Sequence, residues 1–98
     1  MVGRMDGRVA FVTAAGGAIA GAIARLFASE GAHVWCVDIR EDTVAKTASD
    51  IEASYPGHGV ACVADVSNES SVQKAVADAI ARFGKLHVVV NAAAASEA

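Results

Sequence analysis

Four short apolar runs alternate with three segments of helical periodicity, and that alternation leaves the chain very few folds. The runs are Val9–Thr13 (VAFVT), His33–Asp38 (HVWCVD), Gly59–Ala64 (GVACVA) and Leu86–Asn91 (LHVVVN). They read as short, nearly continuous apolar stretches, as strands covered on both faces do. Between them, Ala18–Glu30 repeats Ile19, Ile23, Leu26 and Phe27 at helical spacing. Glu41–Ser54 carries Val44, Ala48, Ile51 and Tyr55 on one stripe, and Asn68–Phe83 carries Val72, Val76, Ala79, Ile80 and Phe83. Each stripe is expected to be the face that its helix buries. Gly31 and Gly84 stand where C-terminal caps belong, and Pro56-Gly57 breaks the middle helix. Glu41 and Asp42 complement the positive end of that helix, and Ser67 is placed to cap the next one.

A strand, a crossover helix and a second strand imply parallel pairing with a right-handed connection. The expected class is therefore α/β, a doubly wound parallel sheet of four strands with three helices; 3-2-1-4 is taken as its order, one of the doubly wound orders the connections allow. Ninety-eight residues suffice for one domain and are too few for two, so residues 1–98 are read as a single domain. The sheet is expected to be incomplete, broken off after strand four. In this order the switch point falls between strands one and four, so Thr13 and Asn91 would end neighbouring strands on one rim. A ligand crevice belongs there. Val88, Val89 and Val90 would form an apolar sheet edge, a feature that favours marginal stability or aggregation.

Composition removes several alternatives. The chain is 54% apolar and 5% aromatic with a net charge of −3, which suits helices packed closely on a buried sheet. It has no basic stretch, so nucleic acid is not an expected partner. Cys36 and Cys62 have no further cysteines or nearby histidine pair, so no metal is expected; both read as buried strand thiols in a reducing compartment. The uncharged run between Arg8 and Arg25 is shorter than the ~20 apolar residues a membrane span needs, and it leads into a patterned helix. A cytoplasmic protein with neither leader nor membrane partner is the expectation. His33, His58 and His87 are scattered at strand starts and a turn, and they carry no expected function.

The turn Thr13-Ala14-Ala15-Gly16-Gly17-Ala18 leads into a helix N-terminus, where free amides and the helix dipole favour an anion. Its small side chains would let phosphate oxygens approach the main chain; a plain tight turn is the bland alternative. Asp38 closes strand two 21 residues after Gly17. That is close to the spacing at which an acid bonds the ribose hydroxyls of a dinucleotide. A carboxylate there repels a 2′-phosphate and favours NAD over NADP. Arg40 partly offsets this preference, and Ile39 offers no phosphate ligand. Gly16 and Gly21 have the spacing of a phosphate-loop pair, but Ala22-Ile23 stands where Lys-Ser/Thr is required.

From Gly7-Arg8-Val9 to Asn91 the chain resembles the N-terminal part of a short-chain dehydrogenase/reductase. The family's opening motif, Thr-Gly-x-x-x-Gly-x-Gly, aligns with Thr13, Ala14, Ala18 and Ala20. All three motif glycines are thus alanine, while Gly16 and Gly17 lie between and could supply flexibility from shifted positions. Ile19 and the continuation ARLFASEGA are typical. The resemblance makes Asp65-Val66 the adenine-contacting pair after strand three. It matches Asn91-Ala92-Ala93-Ala94 to the family's Asn-Asn-Ala-Gly, so that Asn91 anchors the strand end while Ala92 and Ala93 offer backbone contacts. The cofactor-binding set implied is Thr13, Ala15, Gly16, Gly17, Ala18, Ile19, Asp38, Ile39, Asp65, Val66, Asn91, Ala92 and Ala93. An added methyl is tolerable at negative φ but costs about 1 kcal/mol or more at positive φ. Cofactor binding is therefore expected to be weakened or adjusted.

The fold implied is Rossmann-like. The function implied is the NAD(H)-binding portion of an oxidoreductase whose parent, expected to be a homo-oligomer, moves hydride between nicotinamide and a small alcohol or ketone. The family's catalytic Ser and Tyr-x-x-x-Lys are not matched: Tyr55 is followed four residues on by Gly59, and no catalytic residue is assigned. A non-catalytic nucleotide-binding or interaction module of the same fold is the alternative, and a methyltransferase-like nucleoside binder is a more distant one.

Overall fold

The computed structural model describes residues 3–92. Its elements run β1 (Val9–Thr13), α1 (Ala18–Ser29), β2 (His33–Asp38), α2 (Glu41–Ser54), β3 (Gly59–Val63), α3 (Glu69–Phe83) and β4 (Val88–Val90). All pairings are parallel, in the order β3-β2-β1-β4. This is the expected doubly wound order, with β1 central and the switch point between β1 and β4. Side chains alternate across the sheet. Ala10, Val12, Val34 and Cys36 meet α1 and α2 on one face. Phe11, Trp35 and Val37 meet α3 on the other.

Helical spacing identified the elements but not always the buried face. α1 buries Ala20, Gly21, Ala24 and Ala28, whereas Ile19 is 78% and Leu26 57% exposed. The sheet beneath is built of valines and other strand residues, so the stripe without bulk lets the helix come close. A Cβ on Gly21 would already lie 3.0 Å from the Ala15 carbonyl oxygen. α3 repeats the pattern: Ala75 and Ala79 are buried, Val76 and Phe83 pack at the flank, and Ile80 is 44% exposed. In α2 the expected Val44, Ala48 and Ile51 are buried, joined by Thr47. Tyr55 lies beyond the helix and leaves the stripe.

Other boundaries move for local reasons. Asn68, not Ser67, caps α3, its side chain accepting the Ser71 N–H at 3.1 Å. Ser67 instead directs its N–H and hydroxyl to Asp65. β4 is only three residues long. Ahead of it the Val9 N–H donates to Nδ1 of His87 at 2.9 Å, and the His87 N–H returns a bond to the Val9 carbonyl. His87 thus extends the β1–β4 ladder with its ring. His33 and His58 stack with centroids 4.2 Å apart at the same rim. Cys36 is fully buried and its thiol is pushed up to about 12 by burial. Cys62 is only half-buried, because β3 is an edge strand of the described sheet. β4 forms the other edge, with Val89 63% exposed.

The packing of α1 gives a direct test. Ala24→Leu places three extra carbons against the sheet and is expected to lower unfolding free energy by about 1–3 kcal/mol in urea titrations. Leu26→Ala is expected to change it by no more than about 0.5 kcal/mol.

Candidate functional site

The carboxyl ends of all four strands lie on one rim, and hydrogen bonds between their end residues hold that rim together. At the switch point the Thr13 hydroxyl donates to the Val90 carbonyl at 3.2 Å, with Asn91 Oδ1 at 3.4 Å as its second acceptor. Thr13 and Asn91 therefore meet, as their strand positions required. On the other side the Ala64 N–H donates to the Asp38 carbonyl at 3.1 Å, which brings the Asp65 loop beside the end of β2.

The turn after β1 is held more tightly still. Ala14 is left-handed at φ 57°, the one positive-φ residue other than glycine among the described residues. The Ala15 N–H donates to the Val37 carbonyl at 2.9 Å, and its own carbonyl accepts the Thr47 hydroxyl at 2.8 Å. The Gly16 N–H donates to Oδ2 of Asp38 at 2.9 Å. A Cβ on Gly16 would sit 2.8 Å from the Thr43 Cβ and 2.9 Å from Asp38 Oδ2, so only glycine fits there. Gly16 and Gly17, the glycines shifted from the motif positions, keep ordinary backbone angles. Neither takes positive φ; Gly17, the N-cap of α1, is extended at φ −81°. Ala18 and Ala20 lie within α1, where alanine is unstrained. Of the three alanines at motif-glycine positions, only Ala14 carries strain.

This turn delivers an uncapped helix start. α1 has no side-chain cap and no acid in its first turn; its N-cap carbonyl receives the Gly21 N–H at 2.9 Å. The amides of Ala18, Ile19 and Ala20 precede any intrahelical acceptor. α2 and α3 differ, with Glu41 and Asp42 in the first turn of one and Asn68 and Glu69 at the start of the other. The positive end of α1 is thus left for an anion from outside. Beside it, Asp38 accepts the Arg40 N–H on Oδ1 at 3.1 Å and the Gly16 N–H on Oδ2. Each carboxylate oxygen keeps a second lone pair for a hydroxyl donor. Ile19, Ile39 and Val66 are exposed at this rim. These groups fit a dinucleotide: an anion-accepting helix end, an acid at the neighbouring strand end, and apolar surface beyond it.

Asp65 is chiefly a loop organiser. Its carboxylate accepts the Ser67 hydroxyl at 2.6 Å and the Ser67 N–H at 2.9 Å, which together hold it below the usual carboxylate range. Its N–H donates to the Ser71 hydroxyl. Ala92 is half-buried against the α1-side core, and Ala93 lies outside the described residues. No group of three metal-ligating side chains occurs among the described residues, and no described helix is long and apolar enough to cross a membrane. Sequence reasoning missed Thr43 and Thr47, the α2 residues that seat the turn. A threonine next to a buried apolar stripe must find an acceptor, and that was the available signal at Thr47.

Relief of the strain at Ala14 is measurable: Ala14→Gly is expected to raise unfolding free energy by about 0.5–1 kcal/mol. Gly16→Ala is expected to lower it by about 1–3 kcal/mol, since the methyl must displace Thr43 or break the Asp38 bond. Urea unfolding of both variants checks the pair.

Comparisons with known proteins agree with this geometry. The family model described as short chain dehydrogenase matches residues 8–98. D-threitol dehydrogenase of Mycolicibacterium smegmatis is 37% identical over 91 residues, covering 92% of this chain and 34% of that protein. The crystal structure of hydroxysteroid dehydrogenase from Escherichia coli aligns with a TM-score of 0.85 and 34% identity, over 90% of this chain and 36% of that one. The 3-ketoacyl-(acyl-carrier-protein) reductase of Brucella melitensis, solved in complex with NADH, aligns with a TM-score of 0.80 and 33% identity, over 87% and 33% respectively. The chain therefore spans about one third of the length of these relatives. Sequence motifs, strand order and comparisons converge: the chain belongs to the short-chain dehydrogenase family.

Proposed function

We propose that this chain is the NAD(H)-binding portion of a short-chain dehydrogenase/reductase whose whole transfers hydride between nicotinamide and an alcohol or ketone. The observation that carries the proposal is the Gly16–Asp38 hydrogen bond, which joins the bare start of α1 to the acid at the end of β2. The Brucella relative solved with NADH supports it. In this reading the amides at the start of α1 hold the pyrophosphate, and Asp38 accepts from the adenosine ribose hydroxyls. Its negative charge disfavours a 2′-phosphate, so NAD is preferred to NADP. Ile39 and Val66 offer apolar surface to the adenine. Thr13 and Asn91 keep β1 and β4 together at the switch point, and Ala92 and Ala93 offer main-chain contacts.

When bound, the nicotinamide supplies the hydride donor or acceptor; this chain contributes binding and orientation. Tyr55, its one tyrosine, follows α2 at the rim opposite the site, with Gly59 rather than a lysine four residues on. Proton transfer therefore falls to residues elsewhere in a parent enzyme, which is proposed to be homo-oligomeric. The free thiols Cys36 and Cys62 suit a reducing, cytoplasmic setting.

Calorimetric titration with NADH, NADPH and S-adenosylmethionine tests the proposal. NADH is expected to bind at least about tenfold more tightly than NADPH, the scale of one unfavourable charge contact. Asp38→Asn, which retains an acceptor for the Gly16 N–H, is expected to narrow that gap to about threefold or less. Binding of S-adenosylmethionine alone, or of no dinucleotide, would overturn the proposal.

A further inference from the structure

We propose that Thr47, on the buried side of α2, is a positioning residue of the cofactor site: its hydroxyl holds the Ala15 carbonyl and so keeps the strained Ala14 turn in its binding shape. This rests on the function proposed above. Thr47 is 2% exposed and Ala15 is fully buried, so no solvent reaches their contact. A helical threonine ordinarily gives its proton to the carbonyl four residues back. Here that bond, to the Thr43 carbonyl, is the longer one at 3.3 Å, while the bond to Ala15 in another element is 2.8 Å.

The surroundings show why a clamp is needed at this point. Ala14 sits at φ 57° where alanine is disfavoured, and a strained residue persists only when its neighbours over-determine it. Bonds from the Ala15 and Gly16 amides draw the turn toward the end of β2. Thr47 supplies the pull toward α2. A Cβ on Gly21 would lie 3.0 Å from the Ala15 oxygen and 3.5 Å from Thr47 Oγ1, so α1, α2 and the turn converge on this one hydroxyl. Thr47 lies beneath the rim, so it acts on a bound dinucleotide through the turn. In this chain a hydroxyl from α2 thereby offsets the loss of glycine at Ala14.

The test is a mutant cycle read by NADH affinity and by amide hydrogen exchange at Gly16 and Gly17. Thr47→Val, which keeps the shape and removes the hydroxyl, is expected to weaken NADH binding on the order of tenfold. It is expected to speed Gly16 exchange by a similar factor. Thr47→Ser is expected to stay within about threefold of the parent. In an Ala14→Gly background, where glycine holds the left-handed turn unaided, the cost of Thr47→Val should shrink to about threefold or less; a merely structural threonine would show no such rescue. Unchanged affinity and exchange in Thr47→Val, or a double variant as impaired as the single one, would overturn the proposal. If the parent chain takes up no NADH, the function proposed above fails, and the Gly16 exchange rates across the same cycle still decide the role of Thr47.

Discussion

The hydrogen bond from the Gly16 amide to the Asp38 carboxylate is the contact on which the architecture of this rim depends. It ties the turn after β1 to the last residue of β2, two strands already paired residue for residue. It also forbids a side chain at Gly16, and that bare backbone lets Thr43 approach at the start of α2. A single acid thus seats a turn, aligns two helix starts beside each other, and retains lone pairs toward solvent. The same carboxylate is proposed to recognise the ribose, so architecture and recognition share one group.

The alanines in place of motif glycines differ sharply in consequence. Glycine is irreplaceable only where φ is positive or another group lies too close. Ala18 and Ala20 do not meet the first condition, because α1 has begun by Ala18. Ala14 meets the first and persists under three hydrogen bonds from the adjoining residues and Thr47. The second condition is met at Gly16, outside the family's glycine positions, where Thr43 and Asp38 of this chain lie too close for a side chain.

Much of this was legible in the amino-acid sequence. Parallel pairing followed from crossover helices, and once the doubly wound order 3-2-1-4 was assumed, Thr13 and Asn91 could be placed because strand ends share a rim in a parallel sheet. Helical spacing, by contrast, says which residues share a face and not which face is buried. Ile19 and Leu26 share a face of α1, yet the alanine stripe lies on the sheet because it permits the closer approach. Asn68 and Ser67 were adjacent candidates for one cap, and only the path of the chain toward Asp65 separates them. The ring of His87 extending the β1–β4 ladder is a long-range contact with no local signature. The position of Thr47 beside the buried stripe signalled that it needs an acceptor, but not that the acceptor is Ala15.

The central claim is that a dinucleotide is held at the start of α1 beside Asp38. Backbone amide chemical shifts followed during an NADH titration test it most directly. The expected result is perturbation concentrated at the turn through Ala20, at Asp38 and Ile39, at Asp65 and Val66, and at Asn91 and Ala92, with His33, His58 and His87 at the opposite rim unmoved. Perturbations centred on those histidines, or a spectrum that NADH leaves unchanged, would contradict it.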